Sequence, residues 1–484
     1  MRRRTFLVGS AAGLAAVLAG CVPEPPAPTA SPTPSPTPTP TPTGTPVAHA
    51  VPAPAAMRRS AWGTDPFARG AFSFQAVGST PQHRVDLAVP LDDRVFLAGE
   101  ATSTAYPGTV RGAAEQGARA AVQVAEVAEP GERIAVVGAG LAGITAARAL
   151  ADAGYRVVVL EGRDRIGGRI RSIEDDAWPV PVELGAAFVP ADAVGLQARL
   201  AGAGTSTAPF DLTPTVHAPD GTAVDPSDAG AQAVAAAREW ARAQPHDITL
   251  ANALLRSGAS ERLSDEPGDD GIAPADWLAY QLDTVLGVRT GADARRISAW
   301  YGGLEPDEAV VQDRVQTPYV QFLRDEAADL DVLLGGAVLS IDYSGDAVSL
   351  RLETGESFAA HRAIVTVPLG VLRSHTIAFT PSLPLRHARA ISALGTGRLD
   401  QVWLRFDEPF LPPGPPARTV VGAPDDPFAG WLDLSPTPDE PVLVGLLAAE
   451  RADALAEASD DEVVALARTS LEPFASTGLE PSAG

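Results

Sequence analysis

A chain of 484 residues exceeds what one hydrophobic core usually serves, so two domains sharing an interface are expected. Its 60 acidic side chains outnumber 37 basic ones, and the charge of −23 excludes a nucleic-acid partner. The single cysteine, Cys21, excludes an internal disulfide and a Cys-based metal site, the seven histidines fall singly, and no metal is expected.

In chain order, residues 1–21 read as an export address. A basic head (Arg2, Arg3, Arg4) precedes a modest apolar stretch and small residues. Leu18-Ala19-Gly20-Cys21 resembles a lipobox, which implies lipidation of Cys21, and Arg3-Arg4-Thr5-Phe6-Leu7 resembles a twin-arginine signal. Localisation on the outer face of a bacterial cytoplasmic membrane follows as an expectation. Residues 22–57 are mostly Pro, Thr, Ser and Ala, with little to build a core from. They are expected to form an extended, disordered stalk.

Residues 58–130 hold Trp62-Gly63-Thr64-Asp65-Pro66-Phe67 and the run Arg94 to Leu97 leading into Gly99-Glu100. Tyr106-Pro107-Gly108-Thr109-Val110 and a small-residue helix over 112–121 come next. Residues 131–190 open on a β-branched strand, Arg133 to Val137, followed at once by Gly138-Ala139-Gly140-Leu141-Ala142-Gly143. Ile144 to Gly154 is patterned as a packed helix, and a second strand, Arg156 to Leu160, ends in Glu161. This layout suits a dinucleotide. Gly138 permits the tight turn, Gly140 lets a pyrophosphate approach, and Gly143 lets helix and strand pack closely. The helix N-terminus stabilises phosphate charge, while Glu161 accepts ribose hydroxyls and disfavours a 2′-phosphate.

The segment Glu161-Gly162-Arg163-Asp164-Arg165-Ile166-Gly167-Gly168-Arg169 closely resembles that of the flavin amine oxidases. The likeness continues in Val182-Glu183-Leu184-Gly185-Ala186-Ala187-Phe188, in Leu334 to Ile341, and in Ala363 to Leu372. It implies FAD as cofactor, with Arg163, Gly168 and Arg169 around adenosine and pyrophosphate, Gly185 and Ala186 beside the flavin, and Val338 at the adenine. It implies the same of the earlier motifs, with Gly99 at the ribityl phosphate, Glu100 on ribityl hydroxyls, and the amides of Thr109 and Val110 on the flavin O2. Ala71 stands where covalent members carry a flavin-linked Cys, so the FAD is expected to be non-covalent.

In that family the Gly-Glu and Tyr-Pro-Gly-Thr-Val motifs close the chain; here they come first. The helix-like stretch Ser459 to Phe474 resembles the one that ordinarily precedes Trp-x-x-Asp-Pro. The order is therefore read as a circular permutation, cut near Ala475 and Met57 and joined through Glu129-Pro130-Gly131.

Residues 191–330 form the helical part of a substrate domain, with helices expected over Ala231 to Arg242 and Asp276 to Leu286. Residues 331–374 return to the cofactor. Residues 375–475 supply the sheet part, with strands over Leu399 to Phe406 and Val442 to Leu447. The resemblance places Tyr106 and Phe188 in an aromatic wall along the amine's path, and Tyr106 with Gln401 at the reacting centre. Two departures stand out. Gln316-Thr317-Pro318-Tyr319 replaces a Gly-Gly-Tyr pattern, and Gln401 occupies the place of the usual active-site lysine in a chain without any lysine.

The expected fold is α/β: a Rossmann-like, glutathione-reductase-type FAD-binding domain with a mixed-sheet-plus-helices substrate domain. The expected activity is FAD-dependent oxidation of a small-molecule amine by hydride transfer, the imine then hydrolysing, with oxygen or a membrane carrier as electron acceptor. Carbon–carbon desaturation, as in porphyrinogen oxidases, and non-catalytic retention of FAD are the alternatives.

Overall fold

Five parallel strands build the nucleotide-binding half of the computed structural model, which describes residues 51–303 and 311–475. In spatial order they are Asp331–Leu333, Arg156–Leu160, Arg133–Val137, Arg362–Val365 and Val95–Leu97. The export signal, Cys21 and most of the Pro-rich stretch lie outside the described residues.

The strands read as continuous apolar runs because both faces are covered. Phe96, Ile134, Val136, Val159 and Ile364 pack beneath the helices Val110–Val127 and Leu141–Asp152. Val95, Leu97, Ala135, Val137, Val158, Leu160 and Val365 face a four-stranded sheet through Ile341, Val348 and Leu350. Register sets the site. Val137 lies opposite Leu160 and Val365, and Val365 opposite Leu97, so the strands' carboxyl ends share one edge. Ligands of open parallel sheets bind at such an edge.

The helix expected from Ile144 starts earlier, at Leu141, with Gly140 as its N-cap. The glycine turn therefore runs straight into the helix, and Ala142 and Gly143 form part of the first turn. A Cβ on Gly143 would lie 1.9 Å from the Gly138 carbonyl oxygen, so only glycine admits this approach.

A seven-stranded mixed sheet builds the second half, in the order Ala56–Arg59, Leu399–Arg405, Val442–Ala448, Phe428–Asp433, Ala417–Val420, Pro214–His217, Ala223–Val224. Its pairings are antiparallel except that of Pro214–His217 with Ala417–Val420. The helix Asp460–Leu471, opened by a capping box of Ser459 and Glu462, packs beneath it through Val463, Ala467 and Leu471. Val51, Met57, Phe474 and Ala475 belong to this same core.

Two expectations need correction. The Pro-rich stalk does not extend to residue 57. Val51 is fully buried, its carbonyl accepts from Arg468, and Ala56–Arg59 pairs with Leu399–Arg405. An apolar side chain with a complementary core outweighs a proline-rich context. The helix expected over Asp276 to Leu286 is α-helical only for Pro274–Tyr280 and then widens into a π-helical segment, Gln281–Leu286. Apolar periodicity carries no signal for that widening. Among the described residues, no helix is long and apolar enough to cross a membrane.

Candidate active site

The shared edge of the parallel strands opens into a cavity of about 640 Å³, within the range of small-molecule sites. Gly138, Gly140, Leu141, Glu161 and Arg163 line one part of it, and Gly99, Glu100, Thr109, Val110, Gly168 and Arg169 another. Gly185, Ala186, Phe188, Gln401 and Val338 line it as well.

The backbone fits an extended dinucleotide. A Cβ on Gly140 would meet nothing nearer than the Gly167 carbonyl at 3.8 Å, and one on Gly99, held at φ +129°, would meet nothing within 4 Å. Both glycines thus leave space beside the cavity that any side chain would occupy. Gly140 also opens the helix Leu141–Asp152 with no side-chain cap, leaving free amides for phosphate. Thr109 caps Val110–Val127 by accepting from Gly112 N. Thr109 and Val110, at that helix entrance, line the cavity.

Glu161 is buried, and its two oxygens accept from Ala139 N at 2.7 Å and Arg163 N at 2.9 Å. It therefore braces the glycine turn. A carboxylate offers about four acceptor sites, so two remain for ribose hydroxyls. Arg163 is clamped by both oxygens of Asp65, at 2.8 and 3.0 Å, and Phe67 lies beneath its guanidinium. Both contacts come from Nη1, and this charge-assisted pair ties segments 98 residues apart.

Ser73 N and Oγ, Gly108 N and Arg169 Nη1 all donate to the Glu100 carboxylate. Burial alone would raise its pKa, but Arg169, Ser73 and Arg84 together hold it below the ordinary carboxylate value. Glu100 lines the cavity as a hub that orders the wall.

Tyr106 departs from expectation. It is not among the residues lining the cavity; its ring lies under the Arg111 guanidinium, 3.6 Å from the centroid. Phe188 does reach the cavity, backed by Phe210 at 5.4 Å. Phe72, Leu212, Val288, Leu399 and Gln312, none identified from sequence, also line the cavity. They come from separate segments whose convergence no local pattern reveals. Asp65 was legible as part of its motif, but its bond to Arg163 was not.

Gln401 lines the cavity, and its amide is bonded on both sides. Nε2 donates to Gly185 O at 2.9 Å, and Oε1 accepts from Trp403 Nε1 at 2.9 Å. Two residues before Gly185, Glu183 is buried at 2% exposure, and burial pushes its carboxyl up to about 7 although Tyr319 N and Ser172 Oγ donate to it. Among the described residues, no group of three or more His, Cys, Asp or Glu is arranged to hold a metal ion.

Residues 44–125, 141–292 and 312–483 match the family model for flavin containing amine oxidoreductases. Polyamine oxidase 3 of Oryza sativa subsp. japonica is 30% identical over 371 residues, covering 72% of this chain and 74% of that protein. Polyamine oxidase 2 of Arabidopsis thaliana is 30% identical over 379 residues, covering 72% and 73%. Among solved structures, cyclohexylamine oxidase from Brevibacterium oxydans IH-35A superposes with a TM-score of 0.57 at 22% identity, covering 72% of this chain and 82% of that one.

Proposed function

The chain belongs to the flavin-containing amine oxidoreductase family, FAD-dependent enzymes acting on the CH–NH group, and on that footing we propose that it oxidises an amine with an apolar carbon skeleton. The carrying observation is the wall of Phe72, Phe188, Leu212, Val288 and Leu399, which meets Gln401 and the Gly185–Ala186 strip in one cavity. FAD, when bound, supplies the hydride acceptor for the carbon beside nitrogen. The apolar wall desolvates the amine and turns that carbon toward the strip. Gln401, neutral and fixed, offers hydrogen bonding to a water or to the amine without adding charge. Release of the imine to water then gives carbonyl compound and ammonia or a smaller amine.

Anaerobic mixing of the yellow holoprotein with cyclohexylamine, benzylamine and putrescine tests this reading. Bleaching by the first two and not by the diamine is expected. Preference for putrescine would refute the apolar substrate class, and no bleaching by any amine would favour desaturation or a binding role.

The FAD is held without a covalent link in this reading, since Ala71, a cavity residue, offers no thiol. The unconventional motif order is a circular permutation in the same reading. It is supported by the shared core of Val51, Met57, Phe474 and Ala475 and by the pairing of Arg362–Val365 with both Val95–Leu97 and Arg133–Val137. A chain reopened at Pro130 and joined from Ala475 to Met57 should still bind FAD. The division at residues 58–130, 131–190, 191–330, 331–374 and 375–475, with roles for the glycine turn, Arg163, Gly168, Arg169, Val338, Thr109 and Val110, belongs to it too. So does export with lipid anchorage at Cys21, which would let oxygen or a membrane carrier accept the electrons. Mass measurement of the mature N-terminus tests the anchor.

A further inference from the structure

Gln401 and Trp403 alternate with Val402 on the strand Leu399–Arg405, so their side chains leave the same face. An indole N–H can only donate and a peptide carbonyl can only accept. With Trp403 Nε1 on one side and Gly185 O on the other, both at 2.9 Å, the Gln401 amide has one permitted orientation: oxygen to the indole, nitrogen to the carbonyl. A flipped amide would set donor against donor and acceptor against acceptor.

The support continues outward. Trp403 is 1% exposed, with Trp178 against it edge-on at 6.4 Å. The Gln401 main chain is pinned as well. Its N–H donates to Ser60 Oγ, its carbonyl accepts from Ser60 N, and Ser60 Oγ donates to the buried Asp400. Gly185 belongs to a strip that Trp62 also holds, through Nε1 to Leu184 O.

We propose that Trp403 is a positioning residue: its indole N–H fixes the Gln401 amide, and thereby fixes which hydrogen-bonding atoms meet whatever lies in the cavity. This rests on the reading of Gln401 as part of the reacting wall. What Gln401 has left to offer is one N–H and one lone pair, in directions set by Trp403 and Gly185 and not by the ligand. Such pre-organisation is useful where a neutral group must do the orienting without charge.

The test compares holoprotein of the native sequence, Trp403→Phe, Gln401→Met and the double variant. The readouts are the visible absorption spectrum of bound FAD, the rate at which photoreduced protein is reoxidised in air-saturated buffer, and Tm. Trp403→Phe should shift the spectrum and change the rate by roughly two- to tenfold, the range a single neutral hydrogen bond covers. In the Gln401→Met background the same substitution should change neither. A Trp403→Phe variant that loses only Tm, or whose effect persists without Gln401, overturns the proposal. A silent Gln401→Met removes Gln401 from the reacting wall, and the proposal falls with it. Should Trp403→Phe fail to fold, β-(3-benzothienyl)-alanine at position 403 keeps the ring volume and deletes only the donor; a native spectrum and rate there would also overturn it.

Discussion

Replacing Glu161 by Ala should weaken both the empty protein and its hold on FAD, for separable reasons. Its carboxylate accepts from Ala139 N and Arg163 N at 2.7 and 2.9 Å, at 6% exposure, so each bond is charge-assisted and shielded. Bonds of that kind contribute about 1.5–3 kcal/mol each. Losing both sets a ceiling of about 3–6 kcal/mol; water entering the vacated volume lowers the expected loss of apoprotein stability to about 2–4 kcal/mol. The two acceptor sites left for ribose hydroxyls disappear as well, and FAD affinity should drop roughly ten- to a hundredfold. Glu161→Gln keeps one acceptor but sets an NH2 against the second donor, so it should recover less than half of the loss. Denaturant unfolding of apoprotein and fluorescence titration with FAD measure the two effects independently. Wild-type apoprotein stability in Glu161→Ala would refute the bracing role, and a wild-type Kd would remove the carboxylate from the cofactor.

Three further outcomes are expected. Glu183 has its pKa raised from 4.5 to about 7 by burial, with Glu174 adding to the effect. Up to about 3 kcal/mol of stability should therefore be present in full below about pH 4.5 and lost as pH rises through 7, and Glu183→Gln should flatten the Tm–pH curve across that window; an unchanged curve contradicts this. Gln401→Lys should hasten reoxidation of the reduced protein by oxygen about tenfold, since a cation that stabilises the developing negative charge by ~1.4 kcal/mol does so; fast wild-type reoxidation with no gain in the variant, by stopped flow, would contradict it. Gly143→Ala should destabilise the apoprotein because its Cβ meets backbone at 1.9 Å, whereas Gly140→Val should leave apoprotein Tm near native and abolish FAD binding, its space being open; equal Tm losses would be the contrary result.

The cofactor frame was legible because its demands are local. A strand, three glycines, a helix and a terminal acid within thirty residues leave few other readings, and the structure brings Gly138, Gly140, Glu161 and Arg163 to one cavity wall. Less legible was what occupies a motif residue besides the cofactor. Glu100 accepts from Ser73 and from Arg169, 69 residues away, and Tyr106 lies under Arg111 on the next helix. The substrate wall was the least legible part. Leu212, Val288 and Leu399 come from a two-residue connection between strands, a helix after a π-helical segment, and a strand, and each alone looks like ordinary core.

The contacts that close the groove run between segments far apart in the chain. Arg163 with Asp65, Arg169 with Glu100 and Ala71 O, and Ala98 N with Val365 O all bridge the segment before Pro130 and the residues after it. The buried pairs among them leave an uncompensated charge if the segments part. The groove is therefore held by docking across the joint and not by the peptide bond through it. Cleaving the exposed Glu129-Pro130-Gly131 connection, after which both fragments keep their strands in one sheet, should leave bound FAD in place. Cleavage in the Gly138–Gly143 turn should release it, because Gly138, Gly140, Leu141 and Ala142 line the cavity there.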